Sequence, residues 1–139
     1  MKKLLYLFIS LTLLNSCNSS DDNSSDLDPI IGKWQLQSVK ENGQEESTTC
    51  SRQTVLTFLE NGTTTINNFY DGNDNGNDSC ESANGTSIWE NLGNSVYKIQ
   101  DDGETTEINF SENNTIFSVS ESEVYNGTTD TIAFTYRKQ

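Results

Sequence analysis

No histidine occurs in these 139 residues, and that absence removes a good deal of chemistry. A Ser-His-Asp triad, an imidazole base and a histidine-ligated metal all need a side chain that is not there. Basic residues are scarce too. Eight Lys and Arg stand against 21 Asp and Glu, for a formal net charge of −13. Nucleic acid requires a basic face, so it is excluded as a partner. The same charge opposes adhesion of a folded domain to anionic headgroups and favours solubility on a crowded surface. There is one proline, Pro29, and almost no helical periodicity. No apolar run is long enough to span a bilayer. The longest, residues 4–14, is interrupted by Ser10 and Thr12, and a spanning helix needs about 20 apolar residues.

That short run follows Met1-Lys2-Lys3 and ends at Leu14-Asn15-Ser16-Cys17. A basic start, a short apolar stretch and a small residue make an export signal. Leu-x-Ser-Cys at its end resembles the lipobox of bacterial lipoproteins. The resemblance implies cleavage before Cys17 and diacylglycerol on its sulfur, hence membrane attachment through lipid. An ordinary secretory signal with an incidental Cys17 is the alternative. Each buried methylene of such a lipid contributes about 0.8 kcal/mol. Loss of Lys2 and Lys3 with the signal takes the net charge to −15. The stretch after Cys17, through Asp21-Asp22 to Asp26, is polar and acidic and cannot bury enough surface to order itself, so a flexible tether is expected. It resembles the Ser-Asp-Asp signals of surface-displayed lipoproteins in one phylum of Gram-negative bacteria. That implies an outer-membrane anchor with exposure on the cell surface; a plain spacer with a periplasmic address is the alternative. The expected division is signal 1–16, lipidated Cys17 and tether 17–28, and one folded domain 29–139.

The domain reads as strands. Short alternating apolar runs separated by turn residues predict strands at 32–41, 53–60, 63–70, 85–91, 95–100, 104–110, 115–125 and 128–137. Asn42-Gly43, Asn61-Gly62 and Asn126-Gly127 are hairpin signals. A long polar loop is expected at 71–84. Eight strands joined by such turns predict an all-β, antiparallel up-and-down barrel, whose closure removes exposed edges. A sandwich of two four-stranded sheets is the rival. The inward faces are expected to hold Trp34, Leu36, Leu56, Phe58, Ile66, Trp89, Tyr97, Ile99, Ile108, Phe110, Phe117, Val119, Ile132, Phe134 and Tyr136.

Gly32-Lys33-Trp34 opening the first of eight strands resembles the Gly-x-Trp start of lipocalins. The wider layout is similar to the small lipocalin-like domain of bacterial lipoproteins: a lipoprotein signal, Gly-x-Trp, a cysteine before strand two and another near strand four, Gly85 four residues before Trp89, then Tyr97-x-Ile99. The resemblance covers the mature domain. The Thr-Asp-Trp motif of larger lipocalins and a C-terminal helix are not found. The resemblance implies a lipocalin-like barrel closed at one end by Gly32 and Trp34, with a late basic residue, Arg137, stacked over the indole. A surface arginine near a frayed end is the other reading of Arg137. It also implies a small hydrophobic or amphipathic ligand at the other end, where Phe58, Tyr97, Phe110 and Tyr136 are the inward aromatics expected to meet it. A barrel filled by its own side chains, serving as a surface interaction module without a ligand, is the alternative function. The protein is expected to be monomeric, without cofactor and without enzymatic activity.

Cys50 and Cys80 remain after Cys17, in an exported chain where disulfides persist. A disulfide between them is the economical reading, contributing roughly 3–4 kcal/mol in the chain-entropy model. Free thiols or a metal site are the alternatives, and two thiols without histidine make a poor zinc site. Asp71, Asn73 and Asn75, followed by Gly76, match the front half of a calcium loop. The back half fails: Ser82 stands where a bidentate Glu belongs, and Glu81 is one place early. The expectation is therefore a solvated loop and no metal.

Overall fold

The computed structural model describes residues 27–74, 77–100 and 105–139. In chain order the elements are β1 (Gly32–Glu41), β2 (Gln44–Glu45), a 3-10 turn at Ser51–Gln53, β3 (Val55–Phe58), β4 (Thr63–Asp74), β5 (Asn77–Gly93), β6 (Val96–Gln100), β7 (Thr105–Glu107), β8 (Asn109–Ser111), β9 (Ile116–Tyr125) and β10 (Thr128–Lys138). All strand pairs are antiparallel.

The hydrogen-bonded order is β7-β6-β5-β4-β3-β1-β10-β9-β8, with β2 a small bracket on β1. The two ends of that order, β7 and β8, are consecutive in the chain with only Ile108 between them. Ile108 leaves both ladders: its N–H donates to Ser95 O at 2.9 Å and its side chain is buried. Residues 105–111 therefore act as one kinked strand. The first half bonds β6 and the second half bonds β9. The ring closes through this handover, giving eight staves. A sandwich would split the ladder into two sheets, and it does not split. The fold is the all-β, lipocalin-like meander.

Two of the predicted hairpins take the expected turn. Asn42 and Gly43, and likewise Asn126 and Gly127, have positive φ at both central positions, the requirement of a type I′ connection. At Asn61-Gly62 only Gly62 has positive φ, and a longer loop is tied by Leu59 N–H to Thr63 O at 2.8 Å.

The polar loop expected at 71–84 does not exist as a loop. β4 and β5 pair without a break from Thr63↔Ile88 to Asp74↔Asn77. The Asn, Asp and Gly residues of this stretch favour turns and offer little apolar surface to signal a strand, yet the backbone ladder pairs residues 71–74 with 77–80. A disulfide also clips this ribbon. Cys50, just before the 3-10 turn, is bonded to Cys80 of β5, with 5.5 Å between Cα atoms. Thr48 Oγ1 donates to Asp71 Oδ2 at 2.6 Å beside it.

Alternation places the core inside the ring. Ile30, Trp34, Leu36, Phe58, Tyr97, Ile108, Phe117 and Tyr136 form one buried cluster. Fully burying a side chain of the size of Phe58 or Phe117 contributes about 1.5–3 kcal/mol. The strand β1 changes face part-way along. Its register with β10 shifts between Leu36 and Ser38, so Val39 turns inward opposite Phe134. Ile132, expected inside, is 38% exposed, because it lies beyond the last core layer, paired with Glu41 and Glu121.

Candidate functional site

The floor of the barrel is built by residues 28–34. Asp28 holds the chain across the opening. Its Oδ1 accepts from Ile30 N–H at 3.0 Å and from the Tyr97 hydroxyl at 2.8 Å, and its Oδ2 accepts from Asn91 Nδ2. Burial first, and then the bond and charge of Asp28, push the Tyr97 phenol well above its ordinary value. Ile30 is thereby inserted fully buried, and Trp34 Nε1 donates to Ile30 O at 2.6 Å. The Trp34 indole is also fully buried, edge-on to Phe117 at 4.7 Å between centroids.

Gly32 is needed where it stands. Its φ is +131°, and a Cβ there would come within 2.9 Å of Lys138 Cε. The Lys138 stem crosses the glycine to put Nζ 5.0 Å from the Trp34 centroid, where it also donates to Pro29 O at 3.0 Å. The cation over the indole is therefore Lys138 and not Arg137. The reason is the two-residue period of a strand. Tyr136 points inward, so Lys138 does as well, and Arg137 turns out to pair with Glu112 at 3.3 Å.

Above the floor the barrel is hollow. One cavity of about 180 Å3 is bounded by Ile108, Phe117, Val119, Phe134 and Tyr136, with Thr106 and Glu121 at its edge. A second, of about 230 Å3, lies toward β4 and β5 against Thr64, Ile66 and Gly85. Leu56, Phe58 and Ile99 wall both, so the two chambers adjoin. Phe117 and Tyr136 stack at 4.8 Å, which carries an aromatic column from Trp34 on the floor to the cavity wall. Burial, with the Glu121 carboxylate adding to it, pushes the Tyr136 phenol up to about 12. At neutral pH it is a neutral hydroxyl that can both donate and accept.

The four aromatics expected at a ligand divide into two pairs. Phe58 and Tyr136 line the hollow. Tyr97 and Phe110 do not; they belong to the floor. Tyr97 is tied to Asp28, and Phe110 packs 6.1 Å from Trp34 and 6.3 Å from Tyr97. The kink at Ile108 moves the aromatic of that strand down to the closed end. Lys138 and Glu121 were both within reach of the sequence, by extending the alternation one step beyond Tyr136 and Val119. Ile30 and Asp28 carried no such signal, since they precede the first strand.

Of the calcium candidates, Asp71 sits in a paired strand opposite Cys80 and accepts from Thr48. A ladder extends the chain where a calcium loop would curl it around an ion. The side chain of Asn73, the whole of Asn75, and Cys17 lie outside the described residues.

No family model matches this chain, and no curated protein matches it. Among solved structures it is similar to the siderocalin Ex-FABP, described as functioning through dual ligand specificities, at 13% identity and a TM-score of 0.45, over 81% of this chain and 71% of that one. It is also similar to bovine odorant binding protein, solved with its natural ligand, at 16% identity and a TM-score of 0.44, over 81% of this chain and 73% of that one. Likeness at this level carries no argument about a ligand. The barrel rests on the strand order and register described above.

Proposed function

We propose that this protein is a lipid-anchored, non-enzymatic lipocalin-like barrel that binds one small apolar or amphipathic molecule in its interior. The observation that carries the reading is the pair of adjoining chambers above the Trp34 floor, sharing Leu56, Phe58 and Ile99. Each chamber alone is smaller than the roughly 300 Å3 at which ligand pockets begin. Joined, they accept a molecule that neither would hold. The walls are apolar and the polar groups few, which is the make-up of a small-molecule site.

Anchoring rests on the lipobox-like Leu14-Asn15-Ser16-Cys17, and surface display at the outer membrane on the acidic Ser-Asp-Asp stretch that follows. The Trp34 floor lies next to the start of the domain, so a tether attached there leaves the hollow opening away from the membrane.

The filled-barrel reading draws on the modest size of each chamber. Native mass spectrometry of the mature domain from its own host separates the two. A co-purifying small molecule is expected. A bare protein that also fails to take up any apolar probe would leave the interaction module standing. Mass analysis of the same material for a diacylglyceryl group on Cys17 tests the anchor.

A further inference from the structure

The register of the last two strands fixes what faces the hollow above Tyr136. On β9, Phe117 and Val119 point inward, so Glu121 does too. Val119 is paired with Phe134, and Glu121 with Ile132. Glu121 thus stands at the mouth of the same chamber that Tyr136 lines.

Neither group has a hydrogen-bond or ion-pair partner among the described residues. Among the described residues the ion pairs are Arg52–Glu45 and Arg137–Glu112, both on the outer surface. No described residue bonds the Tyr136 hydroxyl, although Tyr136 is only 9% exposed. No buried side-chain oxygen or nitrogen among the described residues is sealed off without a partner, so this hydroxyl opens onto the chamber. Water can meet it in the empty barrel, and a ligand that displaces that water without offering a polar group in its place loses that bond.

The chemistry is therefore directional. The chamber offers an apolar wall at Phe58, Ile99 and Phe117, a neutral hydroxyl, and one carboxylate with no cation beside it. An anionic head would bring like charge to Glu121. An uncharged head would leave the carboxylate unpaired as it desolvates. A cationic N–H donor pairs with the carboxylate, by a charge-assisted bond that neither other head can make. The field of a chain with net charge −13 acts in the same direction at longer range.

We propose that the preferred occupants of this barrel are cationic amphiphiles, with an ammonium-type head at Glu121 and an apolar tail directed past Tyr136 toward Phe58 and Leu56. This deepens the proposed function and depends on it, since it requires that the hollow take a ligand at all.

The test uses three probes of equal chain length: octylamine as its ammonium, octanol and octanoate. Binding to the folded domain is followed by calorimetry at low and at high salt. Octylammonium is expected to bind about two- to fivefold tighter than octanol, the range of a partly exposed ion pair, and octanoate more weakly than either. The preference should shrink as salt rises. In Glu121→Gln it should disappear, while Glu107→Gln, which removes the same charge from the outer face, should keep it. Binding of all three probes without preference, or a preference that survives Glu121→Gln, overturns the cationic assignment and leaves the hollow as a ligand site. Failure of all three probes to bind overturns both.

Discussion

The Nζ of Lys138 lies 5.0 Å from the centroid of Trp34, while Arg137, one residue earlier, reaches the opposite way to Glu112. Two adjacent cations thus have separate duties, one on the floor of the barrel and one in solvent.

Replacing Lys138 by Met removes the cation over the indole and the bond to Pro29 O. A cost of about 1–2 kcal/mol is expected, the sum of a modest cation–π contact and a charged hydrogen bond. Arg137→Met breaks an exposed pair and should change stability by less than about 1 kcal/mol. Urea midpoints of the two variants decide the order. An equal loss in both would mean that Lys138 owes nothing to Trp34.

Gly32→Ala meets two obstacles: a backbone at φ +131° and the stem of Lys138. A loss of about 1–3 kcal/mol is expected from the backbone alone. In a Lys138→Ala background the steric part is gone and the backbone part stays, so the second cost of Gly32→Ala should be smaller than the first. A double-mutant cycle measures the difference. Trp34→Ala, which hollows out the floor between them, should cost about 3–5 kcal/mol.

The Cys50–Cys80 bond joins residues separated by 30 in sequence. Replacing both cysteines by Ser should lower stability by about 3–4 kcal/mol in the chain-entropy account. Amide exchange should quicken most around the 3-10 turn and the outer part of the β4–β5 ribbon, where little apolar burial supports the ladder. A thiol assay on the intact folded domain should find neither residue free.

Alkaline titration should reveal the buried phenol of Tyr136. Its folded value, about 12, lies above the ordinary phenol value of 10.0. Between those limits the folded state holds a proton that the unfolded state has released. Its contribution is therefore complete below pH 10 and is lost as pH rises toward 12. Phenolate absorbance should show a late-ionising fraction that Tyr136→Phe reduces by one residue. If Tyr136→Phe leaves that fraction intact, the wall of the hollow is more open to water than its burial implies.

Much of this architecture could be read from the chain. Gly32 and Trp34 marked the closed end, and Asn42-Gly43 and Asn126-Gly127 marked turns whose φ values make them type I′. The alternation Phe117-Val119 and Phe134-Tyr136 gave the inner face. Three features were not legible, each for a physical reason. The shift between Leu36 and Ser38 moves Val39 inward, and a bulge leaves no mark on local composition. The ribbon formed by residues 71–74 and 77–84 is held by backbone bonds among residues that favour turns, so its strands have no apolar signature. The Asp28–Tyr97 tie joins side chains far apart in sequence, and no periodicity connects them. The hollow itself depends on how side chains leave space, which a list of inward residues does not determine.

The joining of β1 to β10 has a consequence in time. Most ladders here link strands that are neighbours along the chain, and such hairpins can form within microseconds. The pairing of Leu36 with Tyr136 cannot. It must wait until nearly the whole domain has been made and has turned back on itself, which is the arrangement associated with slow folding. Until then Trp34, Phe117 and Tyr136 lie on the open face of an incomplete sheet with two unpaired edges. Ring closure is thus the step at which a newly made chain is most exposed to mispairing with its neighbours, and the acidic surface keeps those neighbours apart while it happens.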